Sequence, residues 1–242
     1  MKQLRRALFI SKKDFESYYS KPPLITWGLL LPAVLILAVY LKEPRKYLQI
    51  APGVIAMTLL FGNTSMSAIV ITFEKRSGTL VRLLLAPLRK ETIILGKMTS
   101  AGLYGIATAL ILTTGLMSLL GLRIQHLPLF MLGLLLGAVV FSLFGLLASV
   151  MVKEVFEAMT LMNFFRFPLL FVSGVFMPVE HFPAVLKPVV LASPLTYVVE
   201  LLRLGITGEG YFSSPLLPVV ATLIFAGIGW FCTAKNWRRV LL

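Results

Sequence analysis

Four stretches of this 242-residue chain, 50–73, 98–122, 127–152 and 211–234, contain no Asp, Glu, Lys or Arg. Each is longer than the roughly 20 residues of helix, rising about 1.5 Å apiece, that cross the hydrocarbon of a bilayer. A core folded in water has no use for uncharged runs of that length. With 58% of the residues hydrophobic and 14% charged, most of the chain has to be solvated by lipid or by itself. The expected fold is therefore an all-α membrane protein, a single transmembrane domain over 1–242. Two further spans bring the expected number to six. One is 24–41, entered through Pro22 and Pro23 and kinked at Pro32; the other is 158–177, after a polar border of Lys153, Glu154 and Glu157.

The 23 Lys and Arg outnumber the 10 Asp and Glu, but they lie between the apolar runs rather than in one basic domain. That distribution argues for membrane topology and against nucleic acid as a partner. Segments 1–21 and 74–97, the Lys153 turn and the C-terminal end hold sixteen of these cations, while the loops on the other side hold six. The expected orientation puts both termini in the cytoplasm, in the cell (inner or plasma) membrane. Residues 1–21 read as a retained interfacial helix lying on membrane lipid, with Leu4, Ala7, Leu8, Phe15, Tyr18 and Tyr19 to one side. Segment 178–210 is apolar but broken by Pro183, Pro188, Pro194 and Gly205. It predicts two short extracellular re-entrant helices, buried against other helices because their ends would be unsatisfied in lipid.

A transporter needs an energy source, and each source leaves residues behind. None of the ten carboxylates falls in mid-span, which weakens proton coupling. An ion-coupled secondary transporter, its site built from backbone carbonyls, stays as the alternative reading. Gly96-Lys97 is the nearest approach to a phosphate-binding loop, but Glu91 stands where the first glycine belongs and Met98 where the hydroxyl belongs. No cofactor is expected on this chain. His126 and His181 lack ligand partners, no Gly-x-Ser-x-Gly turn is present, and Cys232 is the only cysteine, so catalytic and metal residues are not expected. A membrane enzyme or scaffold is the third reading.

Three features are candidates for function. Asn63 and Ser67, in a run of small and hydroxyl residues from Gly62, suit either helix packing or a pore lining. Arg166 lies on the order of 12 Å into its span at helical rise, with Asn163 one turn earlier. It is either an interfacial anchor or a contact for an anionic headgroup or for carbonyls of a facing subunit. In segment 74–97, Gly78 permits a turn, and Thr79 can cap a short helix whose apolar face is Leu80, Leu83 and Leu84, ended by Pro87. That helix either lies on lipid or docks another protein.

At this segment the chain resembles the permeases of ABC transporters of the second exporter type, the group with daunorubicin-type drug exporters and lipid or polysaccharide exporters. The resemblance is carried by Ala51-Pro52-Gly53, by Gly78-Thr79-Leu80 to Ala86-Pro87, by Phe171 and Ser173-Gly174 to Pro178, by Phe182-Pro183, and by Ser193-Pro194-Leu195-Thr196-Tyr197 with Arg203. It covers about residues 50–205. It implies a homodimeric pore for a hydrophobic or amphipathic substrate, such as a drug, lipid or glycolipid. Each copy would dock a separate ATP-binding subunit, two copies in all, on which ATP and Mg would act. Glu74, Arg76, Gly78, Thr79, Arg82 and Pro87 would form the coupling loop, and Phe171, Ser173, Gly174, Pro178, Pro194 and Tyr197 the extracellular gate. The chain departs from the family pattern at Arg76 and Ser77, where an acidic residue is usual, at Val81, where a second is common, and at Arg166, which is commonly apolar.

Overall fold

The computed structural model describes residues 2–14, 16–17, 22–43, 47–212 and 214–237. Its regular elements, among the described residues, are all helical: α1 (Lys2–Asp14), α2 (Pro22–Lys42), α3 (Tyr47–Arg76), α4 (Thr79–Leu85), α5 (Lys90–Leu120), α6 (Leu127–Met151), α7 (Val155–Phe171), α8 (Lys187–Leu191), α9 (Pro194–Thr207) and α10 (Leu216–Asn236). A 3-10 turn, Val179–His181, precedes α8. Of these, α3, α5, α6 and α10 are long and apolar enough to cross a membrane. Phe15, Tyr18 and Tyr19 of the expected N-terminal stripe lie outside the described residues, as do Arg238 and Arg239.

The middle of the bundle is α3, which packs on α2, α5, α6, α7 and α9. Of its most apolar stretch 83% is buried, against 17% for α10, which lies at the periphery on α6 and α9. Leu59 and Leu60 of α3, Phe130 and Phe141 of α6, and Val198 and Leu202 of α9 share one core. The hydroxyls that dot α3 bond back to its own carbonyls: Thr58 to Val54 at 3.0 Å, Ser67 to Asn63 at 2.8 Å and Thr72 to Ala68 at 2.8 Å. These three hydroxyls are thereby satisfied inside the bundle.

The α6 and α3 backbones approach closely at Gly145 of α6. A Cβ there would stand 2.5 Å from the Thr64 carbonyl oxygen and 2.8 Å from the Ser67 Cβ. Because the obstacle is α3 backbone, no rotamer change relieves it. Gly145→Val is expected to cost about 1–3 kcal/mol by overpacking, read as a lower thermal midpoint of the purified protein in detergent. Gly102→Ala is the matched control: its Cβ meets only Ala138 Cβ at 3.7 Å and Ser142 Oγ at 3.8 Å.

Two expectations need correction. Segment 74–97 is not one loop, because α3 continues to Arg76 and α5 begins at Lys90. A 30-residue helix such as α3 is on the order of 45 Å long, against hydrocarbon of about 30 Å. Its charged end therefore stands in the polar zone as intact helix. The helices stop at Gly78 and Pro87, where the backbone requires it, rather than where the charges begin. The apolar run expected to span at 158–177 forms the 17-residue helix α7, which begins and ends earlier and is not among the four helices long and apolar enough to cross a membrane. Glu157 in its first turn reaches back to the backbone N–H groups of Lys153 at 3.1 Å and Glu154 at 3.4 Å, which starts the helix early.

Candidate functional site

Three helix ends and the short helix α4 meet at one end of the bundle. α3 turns into α4 through Ser77 and Gly78, the latter at φ +67° with nothing within 4 Å of where a Cβ would sit. The left-handed turn explains the glycine, since an L side chain would strain it by about 1–2 kcal/mol. Thr79 is not the cap; Gly78 is, and the Thr79 hydroxyl instead lies 2.9 Å from that of Ser77. Leu80 is buried and Leu83 half-buried against Ile10, Ile71, Ile93 and Ile94, while Val81, Arg82 and Leu85 are exposed. Arg82 makes no bond or ion pair with a described residue, and the Leu84 side chain lies outside the described ones.

Beneath α4 sits a buried ionic cluster that sequence reasoning missed. Lys97 of α5 is 2.9 Å from the carboxylate of Asp14 in α1 and 2.6 Å from that of Glu74 in α3, and all three residues are at most 2% exposed. Lys13 pairs with Glu74 and lies 3.2 Å from Asp14, closing a neutral set of two cations and two anions. Ser100 donates to Asp14 at 3.3 Å and Ser11 donates to the Gly96 carbonyl at 2.8 Å. Burial pulls the Lys13 ammonium down. The hydrogen bond and charge of Glu74, joined by Asp14, outweigh that and hold it above the usual lysine value. The α1 face that docks is thus Ala7, Ile10, Ser11 and Asp14, with Leu8 and Phe9 exposed. That spacing of three, four and seven was the available signal, hidden because two of its four members are polar.

Cations tie the other helix ends to this elbow. Lys75 donates to the Ser149 and Val152 carbonyls at the C-terminus of α6, at 2.8 and 3.1 Å, where a helix dipole favours positive charge. Arg6 donates to the Pro87 carbonyl at 3.0 Å and Lys90 to that of Ala234 in α10 at 3.3 Å. Arg76 pairs with Glu154 at 3.2 Å, but both are exposed, so the bridge contributes about 0–1 kcal/mol.

At the opposite end, the broken segment 172–212 is stitched to the bundle. Arg203 donates to Glu200 at 3.2 Å, to the Gln49 carbonyl at 3.2 Å and to the Gly174 carbonyl at 3.1 Å. The Tyr211 N–H donates to Glu200 at 2.7 Å. Ser173 and Ser193 hydroxyls meet at 2.5 Å, and Tyr197 donates to the Leu191 carbonyl at 2.7 Å. Pro178 precedes the 3-10 turn and Pro194 opens α9, each where a missing N–H is harmless. Phe171 points outward and is 66% exposed. The Glu200–Arg203 pair is a second feature missed from sequence, although its i, i+3 spacing was visible.

The remaining candidates lie mid-bundle. Asn63 and Ser67 are enclosed in helix contacts, Asn63 against Gly105 of α5 with neither amide atom bonded. Asn163 and Arg166 do come together, at 3.3 Å, on the α7 face that meets α3. Among the described residues no group of His, Cys, Asp and Glu could hold a metal ion.

The chain is similar to proteins named as transport permeases. Over 182 residues the chain is 29% identical to the inner membrane transport permease YhhJ of Escherichia coli K12, covering 72% of this chain and 48% of YhhJ. It is 26% identical over 166 residues to the inner membrane transport permease YadH of the same strain, covering 67% of this chain and 64% of that one. The transport permease ycf38 of Cyanophora paradoxa is 25% identical over 272 residues, covering 99% of this chain and 91% of its own. The chain thus spans about half the length of YhhJ and under two thirds of YadH. A family model for the ABC-2 type transporter matches residues 6–207, from the docking face of α1 to the end of α9, and the chain belongs to that family.

Proposed function

We propose that this chain is the membrane subunit of an ATP-driven exporter for a hydrophobic or amphipathic molecule. It crosses the bilayer six times, by α2 and α7 as well as the four long apolar helices, with both ends in the cytoplasm. In this reading α4 docks a separate ATP-binding subunit, where ATP and Mg act, and two copies of the permease pair, each with its own ATPase. The segment holding α8 and α9 forms the outer gate.

The observation that carries this reading is the construction of the elbow. The exposed face of α4, with Val81, Arg82 and Leu85, projects from a cluster that ties α1, α3 and α5 together by buried ion pairs. A push on α4 is delivered to rigid helices rather than lost in a soft loop, as coupling between bistable packings requires. Arg82 gives the docking face a positive charge, which suits an acidic partner surface.

Arg82→Glu and Gly78→Val are expected to reduce nucleotide-driven transport in reconstituted vesicles by on the order of tenfold or more, by repulsion in one case and a distorted turn in the other. Both variants should reach the membrane at normal levels. Unchanged transport in both would remove the docking assignment. Uphill transport by the purified chain alone, under an ion gradient, would favour a secondary transporter.

A further inference from the structure

Arg166 has no charged partner among the described residues, although it is 0% exposed and lies in the twelfth position of α7. At helical rise that is about 16 Å from the start of the helix. Its Nε donates to Thr64 at 2.8 Å, its Nη2 to Ser65 at 2.9 Å and its Nη1 to Asn163 at 3.3 Å, all neutral acceptors. The guanidinium carbon lies 4.9 Å from the centroid of the Phe61 ring. A guanidinium has five N–H groups, and these bonds use three. One donor on each Nη is left, with a full positive charge buried in protein and uncompensated by any described carboxylate.

The surroundings define a direction of approach. Thr64 is buried and its hydroxyl is already committed to the Leu60 carbonyl at 2.5 Å, so the Nε side is closed. Ser65 and Asn163, over the two Nη atoms, are both half-buried and are what an approaching group meets first. Beside them stand Phe61, half-buried, and Phe167, 49% exposed, edge-to-face at 6.3 Å. A positively charged fork under a thin polar lid with an aromatic wall alongside fits an anion that carries an apolar body.

We infer that Arg166 is the headgroup site for an amphipathic anion at the α3–α7 contact. A phosphate or carboxylate takes the two spare Nη donors, beside the bonds to Ser65 and Asn163, while its apolar chain lies along Phe61 and Phe167. Planar, bidentate recognition of such groups is what arginine does and lysine does not. The inference rests on the permease reading and names a substrate class within it; a lipid resident at the site would use the same chemistry.

The test is native mass spectrometry of the purified protein in detergent, titrated with dioleoylphosphatidylglycerol or dioleoylphosphatidylcholine, with inorganic phosphate as competitor. Wild type is expected to retain one phosphatidylglycerol about tenfold more tightly than phosphatidylcholine, and Arg166→Gln to lose that preference while other surface cations remain. Ser65→Ala keeps the charge and frees a donor, so it is expected to tighten phosphatidylglycerol about threefold, the reverse of what a purely structural serine would do. It also serves if the glutamine variant does not fold. Equal retention of the two lipids by wild type, an unaltered preference in Arg166→Gln, or weaker binding in Ser65→Ala would overturn the inference. So would displacement by inorganic phosphate at lipid-equivalent concentration, which would make the apolar body irrelevant. None of these results touches the permease reading, which stands or falls on transport by the α4 variants.

Discussion

Lys97→Met is expected to destabilise the protein by about 3–5 kcal/mol, the cost of leaving a buried ion pair without one partner. Asp14 and Glu74 are both fully buried and both face Lys97. Without it they repel each other, with only the half-exposed Lys13 between them. The loss is read as a lower unfolding midpoint in detergent. A second readout is specific: the contact between α1 and α5 depends on this cluster, so proteolysis between α1 and α2 should accelerate before the bundle unfolds. Lys13→Met should cost far less, because its side chain is 46% exposed and water already solvates much of its charge. Equal effects at the two lysines would mean that the cluster is solvated and that α1 is held by Ala7 and Ile10 alone.

The contrast between these lysines marks the limit of what the sequence discloses. The long apolar helices were legible because lipid admits few alternatives: 127–152 became α6, Leu127–Met151, almost unchanged. Helix ends were less legible, since hydrophobicity reports where lipid stops and not where the helix stops; α5 runs eight residues before Met98 for that reason. The short amphipathic helix after Gly78 was readable from its leucines, yet the role of Thr79 was not, because it depends on the left-handed glycine before it. Arg166 was conspicuous as a cation in an apolar run. Its acceptors Thr64 and Ser65, 102 and 101 residues away, were not predictable from local pattern. Asp14 and Lys97, 83 residues apart, each looked like an ordinary border charge. Pairing across three elements is decided by packing, which periodicity in any one of them does not encode.

Arg203→Leu is expected to unlatch the segment that closes the other end of the bundle, again by about 3–5 kcal/mol, because it leaves Glu200 buried and unpaired. Three bonds are lost together, two of them the ties to the Gln49 and Gly174 carbonyls. The pH dependence separates this mechanism from simple loss of packing. Burial pushes the Glu200 carboxyl above its usual range, against the opposing pull of Arg203 and the Tyr211 N–H. A carboxyl raised on folding favours the protonated folded state: its stabilising contribution is complete below the unfolded pKa of about 4.5 and is lost as pH rises through the folded value. Removing Arg203 takes away the pull toward ionisation and raises Glu200 further. The variant should therefore lie closer to wild type at pH 5 than at pH 8, and adding Glu200→Gln should restore much of the stability lost at pH 8. A destabilisation that is constant over that range, or a double variant no better than Arg203→Leu, would show that the arginine acts through its backbone contacts and not through the charge of Glu200.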